Sequence, residues 1–116
     1  MKAGWPAINL HALSPEEIWH IARTSQIPLQ ATIARLVRAG LDSIPGGGAE
    51  VLDDEVRRRI APLKCSTDEW LTVMRAAHRQ GLKSTATLMV GAGVESRHPV
   101  RRIMPLTAQI RFTLDI

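Results

Sequence analysis

The sequence predicts an α/β fold with parallel strands and flanking helices, half of a six-stranded partial (β/α)6 barrel. Three observations predict it. Short apolar runs begin at Ile8, Leu41 and Ser84, and amphipathic helical segments fill the intervals. Those intervals are long enough for helical crossovers, which parallel pairing requires. Finally, the run Gly40-Leu41-Asp42-Ser43-Ile44 feeds into Pro45-Gly46-Gly47-Gly48-Ala49-Glu50, and a helix-like segment, Val51 to Ile60, follows. Strand, glycine turn, helix is the order that aims backbone N–H groups at a ligand.

The elements follow in order. Ile8 to Leu13 reads as a short strand. Ser14-Pro15-Glu16-Glu17 starts a helix, with Ser14 as N-cap, Pro15 in the first turn and a glutamate reaching back. Ile18, Ile21 and Ala22 give that helix an apolar stripe. A second helix begins near Pro28, with Ile33, Leu36 and Val37 on one face and Gly40 at its end. Leu41 to Pro45 is the second strand. Asp53 to Ile60 is helical, with acids early and Arg57, Arg58 and Arg59 late, as the helix dipole prefers; the arginine run reads as a solvated face. Ser66-Thr67-Asp68-Glu69 is another capping box. Trp70, Val73, Met74 and Ala77 follow at helical spacing, and Gly81 closes the helix. Ser84 to Val90 is β-branched and apolar, a third strand.

Composition bounds the function. The chain has 116 residues, 45% of them hydrophobic and 22% charged, which suits one modest folded core. No apolar run approaches the roughly 20 residues a membrane helix needs, and no signal peptide opens the chain; the expectation is a cytoplasmic protein without a membrane partner. One cysteine excludes an intramolecular disulfide and fits a reducing compartment. The pI of about 10.2 suggests nucleic acid, but its distribution argues against it. Residues 1–95 hold 11 Lys/Arg against 10 Asp/Glu, whereas residues 96–116 hold 4 Arg against 1 Asp. With few aromatics, stacking platforms for single strands are scarce. Residues 1–95 read as the barrel core, and residues 96–116 as a divergent basic tail, poorly ordered.

Four blocks carry a resemblance. They are Leu10-His11-Ala12-Leu13-Ser14-Pro15-Glu16-Glu17-Ile18, Ala39 to Glu50, Ala61 to Leu71, and Ala77 to Met89. In this order and spacing the chain resembles, over roughly residues 5–91, the middle of the radical S-adenosylmethionine enzymes of the futalosine route to menaquinone. Cyclic dehypoxanthinyl futalosine synthases are the nearest group, and aminofutalosine synthases and deazaflavin synthase subunits are siblings. The resemblance implies a TIM-like partial barrel. It also implies a 5′-deoxyadenosyl radical chemistry fed by S-adenosylmethionine and a [4Fe–4S] cluster, and a futalosine derivative as the small-molecule substrate. The family holds its cluster with Cys-x3-Cys-x2-Cys. Here Cys65 is the single cysteine, so this chain binds no cluster, and it is expected to be inactive in isolation. After Gly91 the sequence departs from the family. The chain therefore reads as a piece of a longer enzyme, with sheet edges open to self-association. A non-catalytic α/β module that binds an anion or nucleotide, and an inactive truncation product, are the other readings.

In a parallel barrel the ligand sits at the carboxyl ends of the strands. That rule picks His11 and Ser14 after the first strand, Asp42, Ser43, Gly46, Gly47, Gly48 and Glu50 around the second, and Thr85 and Thr87 along the third. His11 is either a hydrogen-bonding or proton-accepting ligand group, or a buried and satisfied histidine. Asp42 and Glu50 suit ribose hydroxyls or the amino group of S-adenosylmethionine; Asp42 equally suits a turn cap. Thr85 and Thr87 suit polar lining or plain β propensity. His20 and His78 lie on helices and read as surface residues. Cys65 reads as a buried structural thiol, although Lys64 beside it would lower its pKa if the two met in solvent. No metal spacing and no hydrolase triad is present.

Overall fold

The computed structural model describes residues 2–49 and 51–87. Glu50, Met89 and Val90, and the whole 96–116 tail lie outside that range. Four helices and a parallel sheet alternate along the chain as α1 (Pro15–Thr24), α2 (Leu29–Arg38), β1 (Ser43–Ile44), α3 (Asp54–Ile60), α4 (Thr67–Arg79) and β2 (Lys83–Ser84). β1 and β2 pair in parallel, Ser43 with Lys83 and Ile44 with Ser84. On the other side of β1 a single parallel bridge joins His11 to Ser43. The spatial order thus follows the sequence order, and every pairing among the described residues is parallel. Among the described residues the arc is open: it is consistent with part of a barrel, and they form no closed barrel.

The strands are shorter than the sequence predicts, for identifiable reasons. The Ile8–Leu13 strand contracts to its centre. The Leu10 N–H is taken by the Asp42 carboxylate at 2.8 Å rather than by a backbone carbonyl, and Ile8 N–H turns back to Trp5 O. β2 starts one residue early, at Lys83. Its pairing with β1 ends after the Thr85 N–H···O Ile44 bond. The next donor on that side is the Gly46 N–H, and it goes to the Thr85 hydroxyl rather than to a β2 carbonyl, while the Thr87 hydroxyl donates to Gly46 O.

Helix ends are written clearly. Ser14 N–H donates to Glu17 at 2.7 Å, the reach-back expected of that cap. In α4 the pair is reciprocal: Glu69 N–H donates to Ser66 Oγ, and Ser66 N–H to Glu69 Oε2. α3 begins later than Val51. Asp53 caps it, accepting from Glu55 and Val56, while Val51 and Leu52 are buried in the preceding loop. α1, α2 and α4 all end in paired six-to-one and five-to-two bonds, for example Leu41 N–H to Leu36 O and Gly40 N–H to Val37 O. The left-handed residue is Gly40 in α2 and Gly81 in α4, but Gln26 in α1.

α1, α2 and α4 pack on one another, and α4 packs on β2. The core between them holds Ile18, Ile33, Ile44, Leu52, Trp70, Val73 and Met74, all with almost no exposure. The pleat sorts the sheet. Leu10, Ala12, Ile44 and Ala86 belong to or pack against this core, whereas Asn9, His11, Lys83 and Thr85 are exposed. The sheet therefore has a helix-covered apolar face and an open polar one. No helix among the described residues is long and apolar enough to cross a membrane.

Candidate functional site

The carboxyl end of β1 runs directly into the glycine turn, and three side chains, one from the segment after β2, one from α3 and one from α4, hold the turn's carbonyls. Thr87 Oγ1–H donates to Gly46 O at 3.1 Å. Trp70 Nε1–H, from the buried face of α4, donates to Gly47 O at 2.9 Å. Arg57, from α3, donates to Gly48 O. Gly46 N–H in turn donates to Thr85 Oγ1 at 3.0 Å. The turn is thus bolted to the segment that follows β2, to α3 and to α4 together.

The three glycines are not equivalent. A Cβ on Gly46 would lie 2.0 Å from the Thr85 carbonyl oxygen and 2.4 Å from the Ala86 Cα, so backbone approach forbids any side chain there. Gly48 has φ +94°, and a Cβ on it would press Glu16 and Trp70 at 3.0–3.1 Å. Gly47 is different: its Cβ would meet only Ser14 Cβ, at an ordinary 3.5 Å. Gly46 and Gly48 are glycines for packing, and Gly47 alone has free space beside it, next to Ser14. Leu13, immediately before Ser14, adopts φ +61°. A bulky residue in that region is strained by an amount of order 1–2 kcal/mol, and the strain sits where the first strand hands over to α1.

The sequence did not single out Arg57. Instead of a solvated face, its guanidinium is buried, with 6% side-chain exposure. Besides Gly48 O it donates to Val51 O at 3.0 Å and to Cys65 O, and it pairs with Glu16 at 3.1 Å. Glu16 also accepts the Cys65 N–H at 2.8 Å. Arg58 and Arg59 are exposed, as expected. Within this centre the Cys65 thiol is pushed up to about 12, first by burial and then by the Glu16 carboxylate. Burial outweighs any effect of Lys64, and Cys65 is an inert thiol.

The other predicted residues fall into three places. His11 is exposed rather than buried, and its Nδ1 lies 2.7 Å from Ser43 Oγ across the bridge. Ser43 Oγ also reaches Asn9 Oδ1 at 3.4 Å. Asp42 stands immediately before β1. Its carboxylate takes the Lys2 ammonium at 2.5 Å and the Leu10 N–H, and these, Lys2 first, hold its pKa below the usual range. Thr85 and Thr87 line the turn on the β2 side. His78 departs from the surface reading: it is half-buried and bonds Ser84 Oγ at 2.7 Å. Burial lowers its pKa. A cleft of about 660 Å³ opens elsewhere, among Glu16, Trp19, His20, Arg23, Lys64 and Glu69, and includes neither His11 nor the glycines.

Among the described residues no three His, Cys, Asp or Glu side chains converge on a metal-sized site. Cys65, as the chain's single cysteine, buried and held as a thiol, does not fit an iron–sulfur ligand either.

No family model matches the chain. Curated relatives do. The chain is 46% identical over 97 residues to 5-amino-6-(D-ribitylamino)uracil–L-tyrosine 4-hydroxyphenyl transferase 1 of Methanosarcina acetivorans, covering 84% of this chain and 26% of the relative. It is 48% identical over 91 residues to the corresponding transferase of Gloeobacter violaceus, with 78% and 23% covered. To cyclic dehypoxanthine futalosine synthase of Halalkalibacterium halodurans it is 41% identical over 93 residues, with 80% and 25% covered. The chain spans about a quarter of the length of these relatives.

Proposed function

Because the chain's homologues are radical S-adenosylmethionine-family enzymes, we propose that residues 5–91 form one wall of such an enzyme's substrate cavity. The observation that carries this reading is the pinned glycine turn at the carboxyl end of β1. Its one unfilled position, Gly47, stands beside Ser14, with His11 and Ser43 on the adjoining open face of the sheet. The substrate class is a small aromatic compound bearing a ribosyl or ribityl chain. Two reactions suit it: cyclisation of dehypoxanthine futalosine on the way to menaquinone, as the sequence blocks suggest, and 4-hydroxyphenyl transfer to the ribitylaminouracil, as the relatives' names suggest.

In this scheme S-adenosylmethionine and the cluster supply the radical, and the cluster is held by residues other than those described here. The present residues bind and orient. His11, Ser43 and Ser14 offer hydrogen bonds to substrate hydroxyls, Thr85 and Thr87 fix the turn, and Asp42 fastens the first strand to the second. Glu50 completes the set as a ligand of ribose hydroxyls or of the cofactor's amino group. Holding the substrate at a fixed distance from the radical is the protein's share of such chemistry.

Two chimeras test this. Residues 5–91 replace the aligned segment of the Halalkalibacterium halodurans synthase in one, and of the Methanosarcina acetivorans transferase in the other. Retained cyclisation in the first, or retained hydroxyphenyl transfer in the second, supports the reading and names the reaction. A folded but inactive pair would sink it. In the active chimera, Gly47→Val should raise KM or abolish turnover, since only the open side of the turn is filled. Unchanged kinetics would leave the turn purely structural.

A further inference from the structure

We propose that Asn9 and Ser43 are positioning residues that lock His11 in one tautomer, with Nδ1 protonated and Nε2 left as a hydrogen-bond acceptor toward a ligand hydroxyl. The ligand class rests on the cavity-wall reading above; the tautomer does not.

The argument is a count of protons. A serine hydroxyl has one proton and two lone pairs, and a neutral imidazole has one N–H. Ser43 Oγ has two neighbours, His11 Nδ1 at 2.7 Å and Asn9 Oδ1 at 3.4 Å. The Asn9 carbonyl oxygen only accepts. If Ser43 donated to His11, two lone-pair oxygens would face each other across the Asn9 contact. If Ser43 donates to Asn9, the His11 Nδ1–H donates to Ser43, and both contacts become hydrogen bonds. With the Asn9 carbonyl oxygen facing Ser43, as it stands in the structure, only the second arrangement makes both contacts hydrogen bonds; a turned amide would reverse the chain of donors and leave the Nε2–H tautomer. All three residues belong to the open face: Asn9 lies two residues before His11, and Ser43 is the bridge partner of His11. The imidazole is exposed, so its remaining nitrogen is accessible to a ligand. A fixed acceptor on a sheet is better placed than one on a mobile loop to meet a polyol hydroxyl or to take its proton.

The test is nuclear magnetic resonance of the 116-residue chain with labelled histidine, at a pH where His11 is neutral. Long-range nitrogen–carbon-proton spectra distinguish the two tautomers. The expected result is a His11 signal of the Nδ1–H form. Ser43→Ala should shift the tautomer ratio about fivefold, the size of one neutral hydrogen bond, while Ser43→Thr, which keeps the hydroxyl, should preserve it. If Ser43→Ala does not fold, Asn9→Ala carries the same test at an exposed position. D-ribitol should perturb the Nε2 resonance in the wild type and perturb it less in the Ser43 or Asn9 variant. A dominant Nε2–H tautomer in the wild type, or a ratio indifferent to both substitutions, overturns the lock. An Nε2 resonance untouched by D-ribitol overturns the ligand-facing role even where the tautomer is as expected.

Discussion

Arg57 is a cation placed among backbone carbonyls, and removing it strands several groups at once. Gly48, Val51 and Cys65 lose a donor, and Glu16 loses its counter-charge in a partly buried place. Breaking a buried pair from one side costs about 3–5 kcal/mol, so Arg57→Ala should unfold at much lower denaturant, while Arg58→Ala and Arg59→Ala should change stability by under about 0.5 kcal/mol. Urea titration of the three variants checks this, and equal effects at all three positions would contradict it. Why the sequence hides Arg57 is instructive. Three successive arginines sweep most of a helical turn, so only one can point inward, and its acceptors are backbone oxygens that no side-chain pattern announces. Its charged partner, Glu16, lies on another helix altogether. Cys65 gives a second prediction. Its thiol is raised in the folded state, so folding opposes thiolate formation. Stability from this source is complete below the unfolded-state value near 8.5 and is lost as pH climbs above it. A disulfide reagent at pH 8 should label Cys65 only as the chain unfolds.

At the level of elements, the caps were the most legible part of the chain, because a capping box is a local pattern whose donors and acceptors lie within four residues. Strand length was the least legible. The Leu10 N–H goes to the Asp42 carboxylate just before β1, and the Gly46 N–H goes to the Thr85 hydroxyl instead of a β2 carbonyl, and neither event is visible within the strand itself. The glycine turn was half legible. Its existence follows from three glycines in a row, but their separate duties depend on Thr85, Trp70 and Glu16, which are distant in sequence. The α1 terminus yields a prediction. Gln26 holds φ +54°, where α2 and α4 each place glycine. Gln26→Gly should therefore stabilise the chain by roughly 0.5–1 kcal/mol, seen as a thermal midpoint higher by a few degrees. A fall in the midpoint would show that the Gln26 side chain does more than end the helix. The joint between α4 and β2 gives another. His78 has a lowered pKa because it is half-buried. A depressed histidine contributes stability above the unfolded value near 6.5, and that contribution is lost as pH falls through it. His78→Gln should flatten the decline in stability between pH 7 and 5; an unchanged slope would place the titration elsewhere.

For the molecule as a whole, the order of strands and their parallel sense were readable from crossover spacing and apolar runs alone, because few other arrangements connect such elements without a left-handed or knotted path. The number of strands in the complete sheet was not, since the chain spans only about a quarter of its relatives. Among the described residues each outer strand has one neighbour, and Trp5, Ile8, Ile60 and Leu63 are large apolar side chains in solvent. Unpaired edges and exposed apolar groups favour association. Sedimentation of the 116-residue chain at rising concentration should show a growing share of species larger than the monomer, and a concentration-independent monomer would mean that these surfaces are protected.

The bond between Trp70 and the Gly47 carbonyl makes the turn optically observable. The Trp70 indole is fully enclosed, whereas Trp5 is 71% exposed. Iodide extinguishes an exposed indole and spares an enclosed one, and Trp19 is half-buried against the core, so in a Trp19→Phe background the blue-shifted part of the emission belongs mainly to Trp70. Any event that tugs the turn, a ligand arriving at Gly47 or the loss of Arg57, alters the dipoles around that ring. The molecule thus carries its own fluorophore at the place where binding is expected.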